Sequence, residues 1–501
     1  MLGALQASPS DTDAPAVAEN TAVTTSAACD ALVAEVEALT LELAVVRSRP
    51  WAAVADQIAY RTLGMLSRLS PPLPFKMAAR FGRSAERRDP FRRIGGPDTT
   101  EAGGLRLAGA VAPDPARQNV LVVTHDATRS GAPILALNLA RHLARRYNVS
   151  VLSLRGGGIL SDFAETAVAV HRADALPMER PDRLVAELCA ATPFAFAVVN
   201  SAESYGALSG LRRARVPTVT LLHEFAALFN FPSALNRIAT LSNEIVFSAA
   251  VTRDAAFDRD AMMGKASVHV IAQGKCEVPT EWHGTSGESA RRSALRAALR
   301  PVGDDSFLVL GAGTVNLRKG VDLFIETARR VLASPEGRRA RFVWVGRRYA
   351  PTTDLSYSVY LEDQINRSGI AGRISFLPET PFIEDAYSLA DVLLLPSRLD
   401  PLPNVGLDAM AAGLPVVCFD RATGLAEQLD AAGVRPHCLA QYLDCGDMAA
   451  KVLAFAANTS LRAEVGGLMR AHAERHLDFA VYAGRIEALG LQACARRQIA
   501  T

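Results

Sequence analysis

Short apolar runs recur from residue 119 onward and alternate with stretches of helical periodicity. Such runs, when turn residues bound them, are typical of strands buried on both faces. In the first half of this region they lie at 120–124, 149–154, 194–200, 218–222, 244–249 and 267–272. In the second half they lie at 307–311, 341–346, 374–377, 392–397 and 416–419. Strands that alternate with helices indicate parallel, doubly wound sheets, so the pattern predicts an α/β protein with two Rossmann-like domains.

Shifts in composition and in glycine and proline content divide the chain into segments. We predict a disordered tail at 1–28, a helical extension and linker at 29–117, a first Rossmann-like domain at 118–277, a linker at 278–303, a second Rossmann-like domain at 304–480 and a final helix at 481–501. The tail is rich in Ala, Ser, Thr, Asp and Pro and has no periodicity, which is typical of disorder.

Two features of the extension suggest partners, and each has a plainer interpretation. Apolar residues at alternating spacings of three and four run along residues 29–47, which favours oligomerisation or packing of a helix on its own chain. Residues 75–93 are basic with interleaved phenylalanines, which suits an anionic membrane surface or a solvated helix face.

Composition excludes several classes of function. The net charge is +2 over 501 residues, so no global field favours nucleic acid as a partner. Seven cysteines are scattered without a C-x-x-C pair, so we expect neither a disulfide framework nor a zinc site, and a reducing cytoplasm is the natural setting. We expect no signal peptide, because the N-terminus lacks a basic n-region followed by an apolar h-region. We expect no transmembrane helix, because no run of about 18 apolar residues occurs.

A strand, a tight loop and a short helix follow one another at residues 392–413. Asn404 is a candidate N-cap of that helix, and Gly413 suits its left-handed end. The N–H groups of Val405 and Gly406 would then point out at the carboxyl edge of a parallel sheet. Open α/β sheets bind anionic ligands at that edge, so this helix end could hold a diphosphate.

Two carboxylates flank the start of this helix. Asp400 lies in the preceding loop and Asp408 lies about one turn into the helix, eight residues further on. Carboxylates accept hydrogen bonds and can hold the hydroxyls of an extended ligand at two points. The alternative is an ordinary strand–helix–strand unit with solvated aspartates.

The stretch 400–417 resembles the E-x7-E donor-binding motif of retaining GT-B glycosyltransferases of the family 4 type. Asp400 and Asp408 replace the two glutamates, and the glycine-rich loop of the motif reads Pro-Leu-Pro-Asn-Val here. Residues 313–323 resemble the second donor motif of the family, in which an arginine and a lysine neutralise the donor diphosphate. Lys319 matches the lysine, but Thr314 stands at the arginine position, and we expect Arg318 to supply the missing cation.

The resemblance also implies roles for individual residues. Asp400 would contact the hydroxyls of the donor sugar, Asp408 the ribose, and His223 the donor sugar from across the cleft. Gly131 matches a loop where backbone meets the donor phosphate, and Glu427 occupies a position near the nucleotide. The diphosphate is expected to meet Gly313, Thr314, Arg318, Lys319, Asn404 and Val405. Asp400, His223 and Lys319 would be the catalytic residues.

These roles have plainer alternatives. His223 could be a satisfied core histidine, Lys319 a solvated lysine in a turn, and Glu427 a surface residue.

The resemblance implies a GT-B fold with two facing Rossmann-like domains behind a helical N-terminal extension. The first domain would bind the acceptor and the second the donor, and the last helix would cross back toward the first domain. The expected activity is retaining, metal-independent transfer of a sugar from a nucleotide-diphosphate sugar to a glycan hydroxyl, with no cofactor or metal.

The acceptor and the setting follow from the same resemblance. The acceptor would be a glycan of a bacterial surface polysaccharide such as O-antigen, capsule or exopolysaccharide. That glycan could be attached to a lipid carrier. The enzyme would work in the cytoplasm, either free or peripherally at the inner face of the membrane. A sugar-nucleotide epimerase of the same fold and a non-catalytic partner subunit are the alternatives.

Overall fold

The computed structural model describes residues 98–99, 105–173, 181–228, 233–279 and 285–499. The predicted tail 1–28, the apolar seam 29–47 and the basic stretch 75–93 lie outside those residues. The described residues contain two α/β domains, each built on one sheet.

Nine strands of the described residues form the sheet of the first domain, in the order β1-β2-β5-β4-β3-β6-β7-β8-β9. They are β1 (Asp98–Thr99), β2 (Leu105–Ala108), β3 (Asn119–Thr124), β4 (Asn148–Ser153), β5 (Ala169–Arg172), β6 (Phe194–Asn200), β7 (Thr218–Leu222), β8 (Glu244–Phe247) and β9 (Val268–Val270). The helices are α1 (Gly131–Leu143), α2 (Leu160–Thr166), α3 (Pro181–Ala191), α4 (Leu208–Arg213), α5 (Ser233–Leu241) and α6 (Ala250–Arg259). Short 3₁₀ turns lie at Ala202–Ala207, Ala226–Leu228 and Ala261–Lys265.

Six strands of the described residues form the second sheet, which is parallel throughout, in the order β12-β11-β10-β13-β14-β15. They are β10 (Leu308–Ala312), β11 (Arg341–Val345), β12 (Ile374–Leu377), β13 (Val392–Leu395), β14 (Val416–Phe419) and β15 (Leu439–Ala440). The helices are α7 (Glu288–Leu299), α8 (Val321–Ala333), α9 (Ser358–Arg367), α10 (Ile383–Leu389), α11 (Asn404–Ala412), α12 (Leu425–Ala431), α13 (Arg435–Cys438), α14 (Cys445–Ala457), α15 (Thr459–His476) and α16 (Phe479–Ile499), with a 3₁₀ turn at Leu317–Lys319.

Both faces of the first sheet are covered, which explains why its strands read as continuous apolar runs. Val120 and Val122 of β3 belong to one apolar cluster, whereas Leu121 and Val123 belong to another on the opposite face. This alternation is the period of two that a strand imposes on its side chains. Strands β3–β9 pair in parallel, so the predicted α/β architecture with two Rossmann-like domains is confirmed.

The last helix, α16, packs on the first domain although it follows the second domain in the sequence. Tyr482, Ala483 and Ile486 belong to the apolar cluster of the first domain. The buried Glu487 accepts hydrogen bonds from Tyr147 Oη at 2.8 Å and from Arg146 Nη1 at 3.0 Å. The two domains are thus joined by two chain crossings, one before α7 and one at the start of α16.

Part of the predicted linker within 29–117 is folded as β-strands. Strands β1 and β2 pair with each other, and β2 pairs antiparallel with β5 across residues 105–108 and 169–172. Leu107 is buried by that pairing. The glycines and prolines of residues 94–117 predict a linker locally, and the pairing partner lies about sixty residues away.

None of the helices in the described residues is both long enough and apolar enough to cross a lipid bilayer.

Gly320 is the residue on which the turn between β10 and α8 depends. Its φ is 68°, in the left-handed region, and a Cβ added there would lie 1.9 Å from the carbonyl oxygen of Pro396. Gly369, in the turn after α9, has a similar φ of 67° with open space around it. Alanine variants at the two positions therefore distinguish the cost of a left-handed backbone, which both share, from the cost of overlap with Pro396, which only Gly320 has.

We predict that Gly369→Ala lowers the free energy of unfolding by about 1 kcal/mol, because only the left-handed backbone is penalised. Gly320→Ala should cost roughly 3 kcal/mol, because the overlap with Pro396 adds to the same backbone penalty. Urea unfolding of both variants measures the difference, and equal losses would show that Pro396 moves aside freely.

Candidate active site

A buried carboxylate, Asp400, lies at the centre of the site, five residues beyond the end of β13. Lys319 Nζ donates to Oδ2 at 2.6 Å, Arg318 Nη1 donates to Oδ1 at 2.9 Å, and Ser397 Oγ donates to Oδ2 at 3.1 Å. Burial by itself raises the pKa of Asp400, but Lys319 and Arg318 outweigh that effect and the pKa lies below its ordinary value. Asp400 is therefore ionised at neutral pH and holds both cations.

The turn Leu317–Lys319 aims the two cations at Asp400. The Asn316 side chain accepts a hydrogen bond from Lys319 N at 3.0 Å and so caps the turn. The Lys319 side chain runs past Gly313, where an added Cβ would lie 3.2 Å from Lys319 Cε. Gly313 has a φ of 131°, so the close passage of the lysine depends on a glycine there.

Thr314, at the position of the motif arginine, carries a short side chain next to a different arginine. Arg347 Nε donates to Thr314 Oγ1 at 3.3 Å. Arg347 follows β11, the strand beside β10, so both residues lie at the carboxyl edge of the sheet. The sequence prediction missed Arg347; its position just after the apolar run 341–346 could have pointed to it.

The helix that begins at Asn404 differs in its first turn from the prediction. The N-cap is Pro403 and no side chain caps the helix, so the prediction of Asn404 as N-cap is wrong. Asn404 Oδ1 instead accepts a hydrogen bond at 2.6 Å from Gln273 Nε2, which belongs to the chain crossing before α7. Gln273 was not predicted as a site residue. At the other end of the helix Gly413 has a φ of 74°, as predicted.

One of the two predicted free N–H groups is occupied. Gly406 N donates to Pro403 O at 2.9 Å, which closes the first turn of α11. Val405 N has no hydrogen-bond acceptor among the residues that the structure describes. The helix end therefore presents the N–H of Val405 and the Asn404 side chain, but not the N–H of Gly406.

Gly131, the first residue of α1, lies against this helix end from the other domain. A Cβ added at Gly131 would lie 3.7 Å from Asn404 Nδ2. Two helix N-termini, one from each domain, therefore meet at the cleft. Helix N-termini carry partial positive charge, so the junction favours an anion.

Asp408 is buried in α11. The charges of Lys275, two residues after Gln273 in the same crossing, and of Glu384 of α10 act on it. Lys275 and Glu384 also line a cavity of about 690 Å³ whose walls come from both domains. The pKa of Asp408 is raised to about 7: burial raises it most, Lys275 lowers it and Glu384 raises it. Tyr387 Oη, buried and electrostatically coupled to Asp408, has no hydrogen-bond partner among the described residues.

His223 follows β7 in the first domain, and its side chain is partly buried. Its Nε2 lies 3.0 Å from Asn200 Oδ1, and Asn200 Nδ2 donates to Ala132 O at 2.9 Å. The Asn200 oxygen thus faces the ring, so Nε2 carries the proton and Nδ1 keeps a lone pair. Nδ1 is buried without a partner among the described residues. Burial lowers the pKa of His223, which keeps the ring neutral.

Glu427 joins the two domains. Its carboxylate accepts hydrogen bonds from Ala250 N at 2.9 Å and Val251 N at 2.8 Å, the first N–H groups of α6. Glu427 therefore caps a helix of the other domain, and its predicted place near the nucleotide stays a prediction.

Residues 306–458 match the family described as Glycosyl transferases group 1. This range includes the turn with Lys319, the buried Asp400 and helix α11 with Asp408.

Curated relatives match shorter stretches of the chain. One stretch of 108 residues is 32% identical to the lipopolysaccharide core biosynthesis mannosyltransferase LpsB of Rhizobium meliloti and covers 22% of this chain and 30% of that protein. Another of 143 residues is 32% identical to the alpha-galactosylglucosyldiacylglycerol synthase of Streptococcus pneumoniae and covers 28% of this chain and 35% of that protein. The chain thus spans about a third of the length of these relatives.

Solved structures match over most of the described chain. Anabaena HepE in complex with UDP-glucose superposes with a TM-score of 0.59 at 18% identity, over 74% of this chain and 98% of that one. Sucrose-phosphate synthase from Thermosynechococcus elongatus gives a TM-score of 0.59 at 16% identity, over 76% and 100%. At these identities the likeness concerns the fold, and it confirms the predicted GT-B arrangement of two Rossmann-like domains.

We predict that Asp408 makes folding stability fall as pH rises from about 5 to about 8. A carboxyl whose pKa is higher in the folded than in the unfolded state stabilises the fold while protonated and loses that contribution as pH passes the folded value. Unfolding experiments should show wild type losing roughly 2 kcal/mol relative to Asp408→Asn over this range. The exposed Asp363→Asn serves as control, and parallel pH profiles of wild type and Asp408→Asn would contradict the prediction.

Proposed function

We propose that this protein is a retaining, metal-independent glycosyltransferase, because residues 306–458 match the Glycosyl transferases group 1 family and the chain has the GT-B fold. It would move a sugar from a nucleotide-diphosphate sugar to a glycan hydroxyl. The observation that carries the proposal is the convergence of Lys319 and Arg318 on the buried Asp400, beside the N-terminus of α11.

The main demand on such a site is electrostatic. Breaking the bond between sugar and diphosphate leaves additional negative charge on the departing diphosphate. Fixed cations and N–H dipoles in a cleft that excludes water can stabilise that charge. We assign this task to Lys319, assisted by Arg318 and by the Val405 N–H and Asn404 side chain at the start of α11.

The carboxylates would hold the hydroxyls of the donor. Asp400, ionised and oriented by its two cations, would accept hydrogen bonds from the donor sugar. Asp408, buried in α11, would meet the ribose. Its pKa of about 7 lets it accept or donate a hydrogen bond near neutral pH.

The first domain would close the site from the opposite side. The unpartnered Nδ1 of His223 is an acceptor for a hydroxyl of the donor sugar. Gly131 carries no Cβ, so its backbone would be free to approach a donor phosphate at the junction of the two helix ends. Closure of the domains on the donor would exclude water and so suppress hydrolysis.

The reaction requires no separate general base. The bond from the anomeric carbon to the diphosphate oxygen breaks, and the acceptor oxygen bonds to that carbon on the same face. The acceptor proton passes to the departing phosphate oxygen, which the cations hold nearby. Attack on the face of departure retains the anomeric configuration.

We place the acceptor among bacterial surface polysaccharides, either O-antigen, capsule or exopolysaccharide, carried on a lipid. The name of the similar Rhizobium meliloti protein, a lipopolysaccharide core mannosyltransferase, supports this class. The basic residues of the stretch 75–93 would suit an anionic membrane surface at the cytoplasmic side.

We predict that Lys319→Ala lowers turnover at least tenfold, which corresponds to about 1.4 kcal/mol of barrier. Nucleotide release from a panel of nucleotide sugars measures it. Arg318 and Ser397 still bind Asp400 in this variant, so it should fold, and its unfolding midpoint checks that. Lys265→Ala, on an exposed turn of the first domain, is the matched control. Equal turnover of wild type and Lys319→Ala would show that Lys319 does not stabilise the departing diphosphate.

The configuration of the product and the effect of a chelator test retention and metal independence. NMR of the purified product should show the anomeric configuration of the donor, and EDTA should leave the rate unchanged, because protein cations meet the charge of the diphosphate. An inverted product would exclude transfer on the face of departure. A rate abolished by EDTA and restored by a divalent cation would exclude metal independence.

A further inference from the structure

We propose that Arg347 is a diphosphate-binding cation of this chain and takes the place of the arginine that the family motif has at the position of Thr314. The inference rests on the proposed function, since it concerns the same donor site. It adds a residue from a different strand to that site.

Contacts along the sheet edge place Arg347 next to the motif. Its Nε donates to Thr314 Oγ1 at 3.3 Å. The backbone is fastened at the same point, because Val315 N donates to Arg347 O at 2.9 Å. A Cβ on Gly346 would lie 1.9 Å from Gly313 O, so the two strand ends are in direct contact.

The same loop leads to Lys319. A Cβ on Gly313 would lie 3.6 Å from Lys319 Nζ, so the amine lies against the residue that precedes Thr314. Arg347 is on Thr314 itself. The two cations therefore contact adjacent residues of one loop, Gly313 and Thr314, and the proposal places one extended diphosphate across both.

Arg318, Lys319 and Asp400 together carry too little positive charge to neutralise a diphosphate. Arg318 and Lys319 both bind the ionised Asp400, so the trio retains one net positive charge. A departing nucleoside diphosphate carries at least two negative charges. A further cation at the same edge would reduce this mismatch.

Arg347 can change partners at little cost. Its ion pair with Glu379 is long, at 3.8 Å, and the two side chains are 45% and 46% exposed. Exposed pairs of this kind contribute little stability, whereas a guanidinium binds phosphate in a charge-assisted, two-pronged geometry. Glu379 would thus hold Arg347 only until a diphosphate arrives.

The size of Thr314 matches this assignment. Its short side chain leaves room for the Arg347 side chain to lie across it, and its hydroxyl accepts the Nε hydrogen bond. An arginine at 314 would bring a second guanidinium into the same space. An arginine at either 314 or 347 should therefore be able to bind the diphosphate, so a cation at one position should replace a cation at the other.

The test measures binding of nucleoside diphosphates by isothermal titration calorimetry. UDP, GDP, ADP, CDP and dTDP are screened on wild type, and the tightest is used with Arg347→Ala, Thr314→Arg/Arg347→Ala, Glu379→Gln and Arg348→Ala. We expect Arg347→Ala to weaken binding at least tenfold and the double variant to return to within about threefold of wild type. Glu379→Gln and the neighbouring Arg348→Ala should bind no more weakly than wild type.

Three results would overturn the proposal: unchanged affinity in Arg347→Ala, no recovery in the double variant, or a tenfold loss in Glu379→Gln, which would mean that the ion pair itself matters. Lys319→Ala separates this failure from that of the proposed function. If Lys319→Ala loses affinity while Arg347→Ala does not, only Arg347 is excluded. If neither loses affinity, or no nucleoside diphosphate binds wild type, the donor site itself is wrong and the assignment of Arg347 falls with it.

Discussion

The buried ion pair between Asp400 and Lys319 is the interaction on which the second-domain side of the cleft depends. A carboxylate removed from water is costly unless it is paired and hydrogen-bonded. Asp400 meets that need with two cations and one hydroxyl from separate loops. The pair therefore fixes the loop after β10 relative to the loop after β13, and it does so at the edge where helix α11 begins.

Two further contacts carry this arrangement across the domain boundary. Gln273 binds Asn404, and Glu427 caps α6 of the first domain. Both contacts lie near the start of α11 or α12, so the helix ends that face the cleft are fixed by partners from the opposite domain. A donor bound at this junction would contact both domains at once, which couples its binding to closure.

Much of the architecture could be predicted because the strands are buried on both faces. Phe194–Asn200, Thr218–Leu222 and Ile374–Leu377 have the predicted bounds, since each is an apolar run between turn residues. Strand β2 could not be predicted, because its pairing with β5 is antiparallel, distant in sequence and set among glycines and prolines.

In the site, too, local sequence motifs could be recognised, whereas contacts between residues distant in sequence could not be predicted. The motifs located Asp400, Arg318 and Lys319, which the structure brings into contact, while their roles in catalysis remain predictions. The N-cap prediction for Asn404 failed because Gln273, from the other side of the cleft, takes the side chain. Glu427 and Arg347 likewise depend on partners that only the folded chain brings near.

A crystal structure of the protein with a bound nucleoside diphosphate would show directly whether the cleft holds the donor as proposed. We expect the diphosphate to lie between Lys319 Nζ and the N–H of Val405, with the ribose hydroxyls at Asp408. A nucleotide bound elsewhere, with Lys319 paired to Asp400 alone and the start of α11 empty, would contradict it.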